Sequence, residues 1–115
     1  MTPVLSLPTT LQELFNNAWQ HAVVDKAPPA ISNMGCVYRG PQGTCCLIGV
    51  NIPDILYNPN MEYNIASELG LWDDPRVDQL QSCHDRHIKQ GDYYHYLVRE
   101  ELIQFAYQHH LQIPT

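Results

Sequence analysis

The stretch that decides the fold is Thr10-Leu-Gln-Glu-Leu-Phe-Asn-Asn-Ala-Trp-Gln-His-Ala-Val23. Leu11, Leu14, Phe15, Ala18, Trp19, Ala22 and Val23 recur at the i, i+3, i+4, i+7, i+8 spacing that gathers apolar side chains on one face of a helix. Thr10 and Glu13 supply a capping box at its start. The helix should stop before Ala27-Pro28-Pro29, because proline lacks a backbone donor and restricts the residue ahead of it. An amphipathic helix of this kind must lay its stripe on something, so the rest of the chain is read for what it offers.

Two further segments carry a helical pattern. Asp74-Pro75 gives an acidic cap followed by proline at the first helical position. Beyond it Val77, Leu80, Gln81, His84 and Ile88 form a stripe flanked by Cys83 and His87, and Gly91 is the expected stop. A last helix is expected from Asp92 through Tyr94, Leu97, Val98, Leu102, Phe105 and Ala106 toward His109. Between residues 31 and 57 the helical period vanishes. Cys36-Val-Tyr-Arg39, the turn-like Gly40-Pro-Gln-Gly43 and Cys45-Cys-Leu-Ile48 read as a small hairpin. The rival reading makes Cys46 to Ile52 a short helix entered through Gly43-Thr44, and seven residues are too few for periodicity to separate the two. Asn58-Pro59-Asn60 reads as a turn, and Met61 to Leu69 as two helical turns closed by Gly70. Residues 1–9, with two prolines and no period, read as a surface arm. The expected fold class is therefore mainly α (α+β): three main helices around a small β-hairpin or irregular Gly/Cys-containing insert, in one domain spanning 1–115.

Composition narrows the function classes. The chain has 115 residues, 44% apolar and 16% charged, the balance of a globular protein with one modest core. Six Lys and Arg face twelve Asp and Glu, for a formal charge of −6. The cations (Lys26, Arg39, Arg76, Arg86, Lys89, Arg99) are scattered, which argues against nucleic acid and against an anionic membrane surface as partners. No stretch approaches the roughly 20 apolar residues that span a bilayer, and the first residues lack the basic and apolar regions of a signal peptide. A cytoplasmic location is the expectation, with Cys36, Cys45, Cys46 and Cys83 as reduced thiols.

Three constellations could carry chemistry. A thiol nucleophile needs a base that favours the thiolate and a group that orients the base. Here Cys46 is the candidate nucleophile, His84 the base and Asp54 the orienting carboxylate. Asp85 is the weaker choice for that last role, since neighbours on a helix point about 100° apart. Against this stands the ordinary fate of a free cysteine as a small buried apolar residue. A zinc site needs four convergent ligands, commonly in close-spaced pairs. No such spacing is present, so no metal or other cofactor is expected; if one bound, Cys36, Cys46, Cys83 and His87 would be its ligands, with Cys83 and His87 four apart on one helical face. The third is the aromatic and histidine cluster Tyr93, Tyr94, His95, Tyr96, Tyr107, His109 and His110, which suits a partner surface or homo-oligomer face. Its plainer reading puts Tyr94 and Tyr107 in the core and leaves the rest solvated. Arg39, in a chain with few cations, could hold an anionic ligand with its planar fork; the reading preferred is an internal ion pair with Asp54 or Glu62.

Taken together, Cys36-Val-Tyr-Arg-Gly-Pro-Gln-Gly43, Cys46-Leu-Ile-Gly49, Ile52-Pro-Asp54, Tyr57, Met61-Glu62, Leu80-Gln81 and His84-Asp85 make a composite pattern over the middle half of the chain. In that pattern the chain resembles a group of small bacterial and phage proteins without an established activity. The resemblance implies a small single domain and marks Cys36, Arg39, Cys46, Asp54, Glu62, His84 and Asp85 as its polar positions, with Cys45 and Cys83 outside it. Arg39, Tyr38, Glu62 and Asp85 are accordingly the candidate binding residues. The leading expectation is a small non-enzymatic binding or regulatory protein whose partner is a protein or a small ligand. A cysteine-dependent hydrolase or transferase using Cys46 and His84 is the alternative, and a zinc-stabilised domain the second alternative.

Overall fold

The computed structural model describes residues 3–33 and 35–114. Three α-helices carry the core: α1 (Leu11–Trp19), α2 (Arg76–Asp85) and α3 (Tyr94–His109). A two-stranded antiparallel ribbon, β1 (Ile31–Ser32) with β2 (Gly35–Cys36), sits between α1 and the irregular middle of the chain. The fold is mainly helical with a small β element, as the sequence patterns require.

α1 begins where Thr10 Oγ1 accepts the Glu13 N–H at 3.1 Å, which satisfies one of the donors that every helix start leaves without a partner. Its stripe of Leu11, Leu14, Phe15, Ala18 and Trp19 is buried. Phe15 stacks on Phe105 of α3 with centroids 6.2 Å apart, and Val77, Leu80, Val98 and Leu102 complete a cluster that excludes water. Each such side chain contributes about 1.5–3 kcal/mol by leaving water. The helix then widens into a π-helical turn, Gln20–Val24, before the proline pair. The chain leaves it through Lys26, whose φ of +50° lies in the left-handed region, while the Ala27 N–H reaches back to the His21 carbonyl at 3.0 Å. This is the helix ending in which glycine is the usual residue. A side chain there costs about 1 kcal/mol.

The structure departs from the expected boundaries in four places. α2 stops at Asp85 and not at Gly91, because the chain from Arg86 onward continues in turns, with the His87 N–H bonded to the His84 carbonyl. Met61 to Leu69 forms no α-helix: it is covered by two short 3-10 segments, Pro59–Tyr63 and Ala66–Glu68, the first capped by Asn58. The paired strands lie one step earlier than the Cys36–Ile48 hairpin, which is reduced to a single antiparallel bridge between Arg39 and Cys45. After that bridge Cys46 begins a turn, not a helix, that runs into the 3-10 segment Gly49–Asn51. The N-terminal segment is anchored through a bond from the Val4 N–H to the Val50 carbonyl and one from Trp72 Nε1 to the Pro8 carbonyl, while Leu5 is 98% exposed.

Buried polar groups pin this irregular middle to the helices. Asn51 is fully buried and saturated: its Nδ2 donates to the Leu14 and Leu47 carbonyls and its Oδ1 accepts from Asn17. Gly49 allows the tightest approach, since a Cβ there would stand 1.9 Å from the Tyr38 carbonyl oxygen.

Candidate functional site

The polar residues of the middle segment fall into two groups. The first is organised by Glu62. Its Oε1 accepts the Tyr38 N–H at 2.8 Å; its Oε2 accepts the Arg39 N–H at 3.1 Å and the Tyr57 hydroxyl at 2.6 Å. One carboxylate thus closes the loop between residues 38 and 62 with three charge-assisted bonds, each stronger than a neutral pair. The Arg39 guanidinium lies over the Tyr57 ring at 4.4 Å, donates to the Ile52 carbonyl at 2.6 Å and pairs with Asp54 at 2.6 Å. Asp54 is 78% exposed, so that ion pair is the weak, solvent-screened member. Tyr38 donates its hydroxyl to the Asn64 carbonyl at 2.6 Å. Burial first, then the hydrogen bond to Glu62, pushes the Tyr57 phenol up to about 12.

The second group stands where α2 ends against the ribbon. The His84 side chain is fully buried. Its Nε2 lies 3.0 Å from the Ala30 N–H, and its Nδ1 lies 2.7 Å from Asp85 Oδ1. A backbone N–H can only donate, so Nε2 must hold a lone pair and Nδ1 the proton. The ring is a neutral, doubly engaged connector from α2 to the chain entering β1. Asp85, and not Asp54, is therefore the carboxylate on His84. At the last residue of the helix its side chain reaches the near ring nitrogen, which the 100° separation of helical neighbours does not forbid.

The same assignment bears on a metal. Cys36, His84 and Asp85 offer donor atoms within 4.8 Å of one another, the one such group among the described residues. A cation on Nδ1 needs a lone pair there, which would move the ring proton to Nε2, directly against the Ala30 N–H. The backbone thus opposes the ligand form of His84, and the donor set does not fit a metal without breaking that bond. The ligand set Cys36, Cys46, Cys83 and His87 is not assembled. Cys83 Sγ donates to the Gln79 carbonyl, and His87 Nε2 lies 2.6 Å from Glu101 of α3.

Cys46 is fully buried, and its Sγ accepts the Gly49 N–H at 3.1 Å. Burial pushes its thiol far above the ordinary value. Both ring nitrogens of His84 have other partners, leaving no free base for Cys46. Cys36 is half-buried; burial first, then the negative charge of Asp85, pushes its thiol up to about 11. Burial raises Cys83 in the same way, to about 12. A reactive thiol needs the opposite shift.

Of the aromatic cluster, Tyr94 is core, its ring edge-on to His84 at 5.9 Å. Tyr107 is 74% exposed, which corrects the expectation that it is buried. It follows Ala106 on α3 and so faces away from the Phe105–Ala106 side that packs inward. Sequence reasoning passed over His21, a buried ring whose Nε2 lies 2.8 Å from the Cys45 carbonyl. It sits inside the apolar stripe of the first helix, and that placement was the available signal. Compared with family models, curated proteins and solved structures, the chain has no match.

Proposed function

We propose that this chain is a non-enzymatic binding or regulatory protein, and that the polar residues of its middle segment hold its shape in place of performing chemistry. The observation that carries the reading is the state of His84. A general base must present a free lone pair to the group it deprotonates, and the Ala30 N–H occupies the one lone pair this ring has. Cys46 adds to it, since a sealed thiol with a raised pKa is the inert form of cysteine. The Glu62 network supports it as well: both carboxylate oxygens are engaged within the Tyr38–Tyr57 loop. The partner is a protein or a small ligand reached through groups outside these networks.

Thiol reactivity against pH, measured on the folded protein with Cys46→Ser and His84→Ala beside the parent chain, tests this. The expected result is slow labelling of Cys46 with no thiolate step below the free-cysteine value of about 8.5. Fast labelling of Cys46 with a depressed apparent pKa, lost in His84→Ala, would overturn the reading in favour of a cysteine-dependent enzyme.

A further inference from the structure

We infer that the face of α1 carrying Gln12 and Asn16 is a docking site for an extended segment of another protein with the pattern apolar-x-apolar-proline, and that residues 111–114 of this chain sit in it as an internal stand-in. The inference rests on the binding reading above and gives it a surface and a kind of partner.

Recognition is made on the main chain. Gln12 Oε1 accepts the Gln112 N–H at 2.9 Å, and Gln12 Nε2 donates to the Gln112 carbonyl at 2.8 Å. The N–H and carbonyl of one residue point the same way where the backbone is extended, so the side-chain amide pairs with Gln112 as a neighbouring strand would. The second Nε2 hydrogen goes to Asn16 Oδ1 at 2.8 Å, one helical turn further on. Asn16 thus fixes which way the amide faces, and the reader is set before any segment arrives.

Selectivity comes from the residues on either side. Leu111 and Ile113 pack against the core while Gln112 between them is exposed, the alternation of a strand. Pro114 favours the extended conformation at Ile113. Both bonds from Gln12 engage only the backbone of Gln112, so any residue with a backbone N–H fits between two apolar side chains spaced in this way.

Three observations mark the present occupant as a loose one. An open cavity of about 280 Å³ remains beside it, lined by Gln12, Asn16, Gln112, Ile113 and Pro114, so the seat offers hydrogen-bonding amides and room that residues 111–114 do not fill. The segment is entered through His110, whose φ of +57° lies in the left-handed region, which a residue other than glycine adopts at a cost. Both bonds to Gln112 are exposed, and exchange with water leaves such bonds little net strength. A segment from outside with larger apolar side chains would fill the seat better than the one that holds it.

The test uses the whole chain, ¹⁵N-labelled, with Ile113→Asp to release residues 111–114 and Leu111→Asp as a second release variant. The probe is the acetylated and amidated peptide of residues 110–115. In both release variants it should shift the side-chain NH₂ signals of Gln12 and Asn16 saturably, with the millimolar affinity of a contact this small. The parent chain should bind it at least about tenfold more weakly, because its own segment competes at the effective concentration of a short tether. Adding Gln12→Ala to a release variant should weaken binding at least about fivefold, followed on Asn16. A peptide N-methylated at its glutamine lacks the N–H that Gln12 reads and should bind at least about threefold more weakly. Both release variants should keep the helical circular dichroism of the parent, since Leu111 and Ile113 are half-buried. Loss of that spectrum in both would overturn the inference, because residues 111–114 would then be core. Equal affinity of parent and release variants, equal affinity of the N-methylated peptide, or no saturation would overturn it as well. Concentration-dependent dimers of the parent chain with displaced Gln12 signals would give the seat to a second copy and sink the assignment to another protein. The thiol experiment reads Cys46 and His84 and this titration reads Gln12 and Asn16, so the two fail independently.

Discussion

Replacing Glu62 by glutamine changes one atom of the side chain and no volume, yet three donors depend on the carboxylate. The Tyr38 N–H is bonded to one oxygen, and the Arg39 N–H and Tyr57 hydroxyl to the other. Glutamine offers a single oxygen, so either orientation of the amide turns an NH₂ group toward a backbone N–H. At least one charge-assisted bond is lost, worth about 1.5–3 kcal/mol, and a partly buried donor is left without an acceptor, at about 1–3 kcal/mol. Allowing for water reaching this half-buried site, a destabilisation of about 2–4 kcal/mol is expected, a large share of the 5–15 kcal/mol typical of a domain. With a urea m-value of about 2 kcal/mol/M, the unfolding midpoint should fall by roughly 1–2 M. Glu68→Gln, at an exposed position in the next 3-10 segment, should stay within about 0.5 kcal/mol of the parent. Urea unfolding followed by circular dichroism measures both. If Glu62→Gln unfolds together with Glu68→Gln, the clasp does not hold the middle segment and the reasoning fails. Loss of the Glu62 charge should also bring the Tyr57 phenol down from about 12, readable as phenolate absorbance on alkaline titration.

Two more outcomes follow from particular contacts. Gly49→Ala puts a methyl group 1.9 Å from a backbone oxygen and 2.7 Å from its carbon, neither the end of a flexible chain. Thermal melts should show a loss beyond the usual 1–3 kcal/mol of overpacking, and a loss under about 1 kcal/mol would mean that Tyr38 and Gly49 separate easily. The His21 pKa is lowered, by burial first. The unfolded chain then binds this proton more readily than the fold does, so the contribution is complete above the unfolded value of about 6.5 and is lost as pH falls below it. His21→Gln keeps an amide donor for the Cys45 carbonyl, and its stability profile between pH 7 and pH 5 should be flatter than the parent's; a parallel profile would sink the assignment.

The helices were readable from sequence because burial wrote itself as a period. Leu11 to Val23 shows the stripe that meets Phe105 and Leu80, and Asp74-Pro75 marks the start of α2, where Asp74 Oδ1 accepts the Arg76 N–H. The middle of the chain was not readable in the same way. Its 3-10 segments are three to five residues long, shorter than the window over which a period can be counted. An ion pair of Arg39 with Asp54 or Glu62 could be expected from the sequence, where cations are few among many carboxylates, and Asp54 is the carboxylate its guanidinium meets. The role of Glu62 could not, since two of its three partners are backbone N–H groups, which every residue possesses. The hydrogen-bond partner of His84 was hidden for the same reason: it is the amide of Ala30, a residue whose side chain says nothing about it.

The Glu62 clasp also has a consequence for the order in which the chain can assemble. The bond between Ala30 and His84 joins residues 54 apart, while the clasp from Tyr38 to Glu62 spans 24 of the residues in between. Once the clasp is shut, subtracting 24 from 54 leaves an effective loop of 30. The entropy of closing a loop grows as the logarithm of its length, so the shorter path lowers the cost of the second closure by about 0.5 kcal/mol, roughly a twofold gain in encounter probability. A carboxylate that reads as static reinforcement in the finished structure thus acts on the unfinished chain as a shortcut, bringing the ribbon within reach of α2.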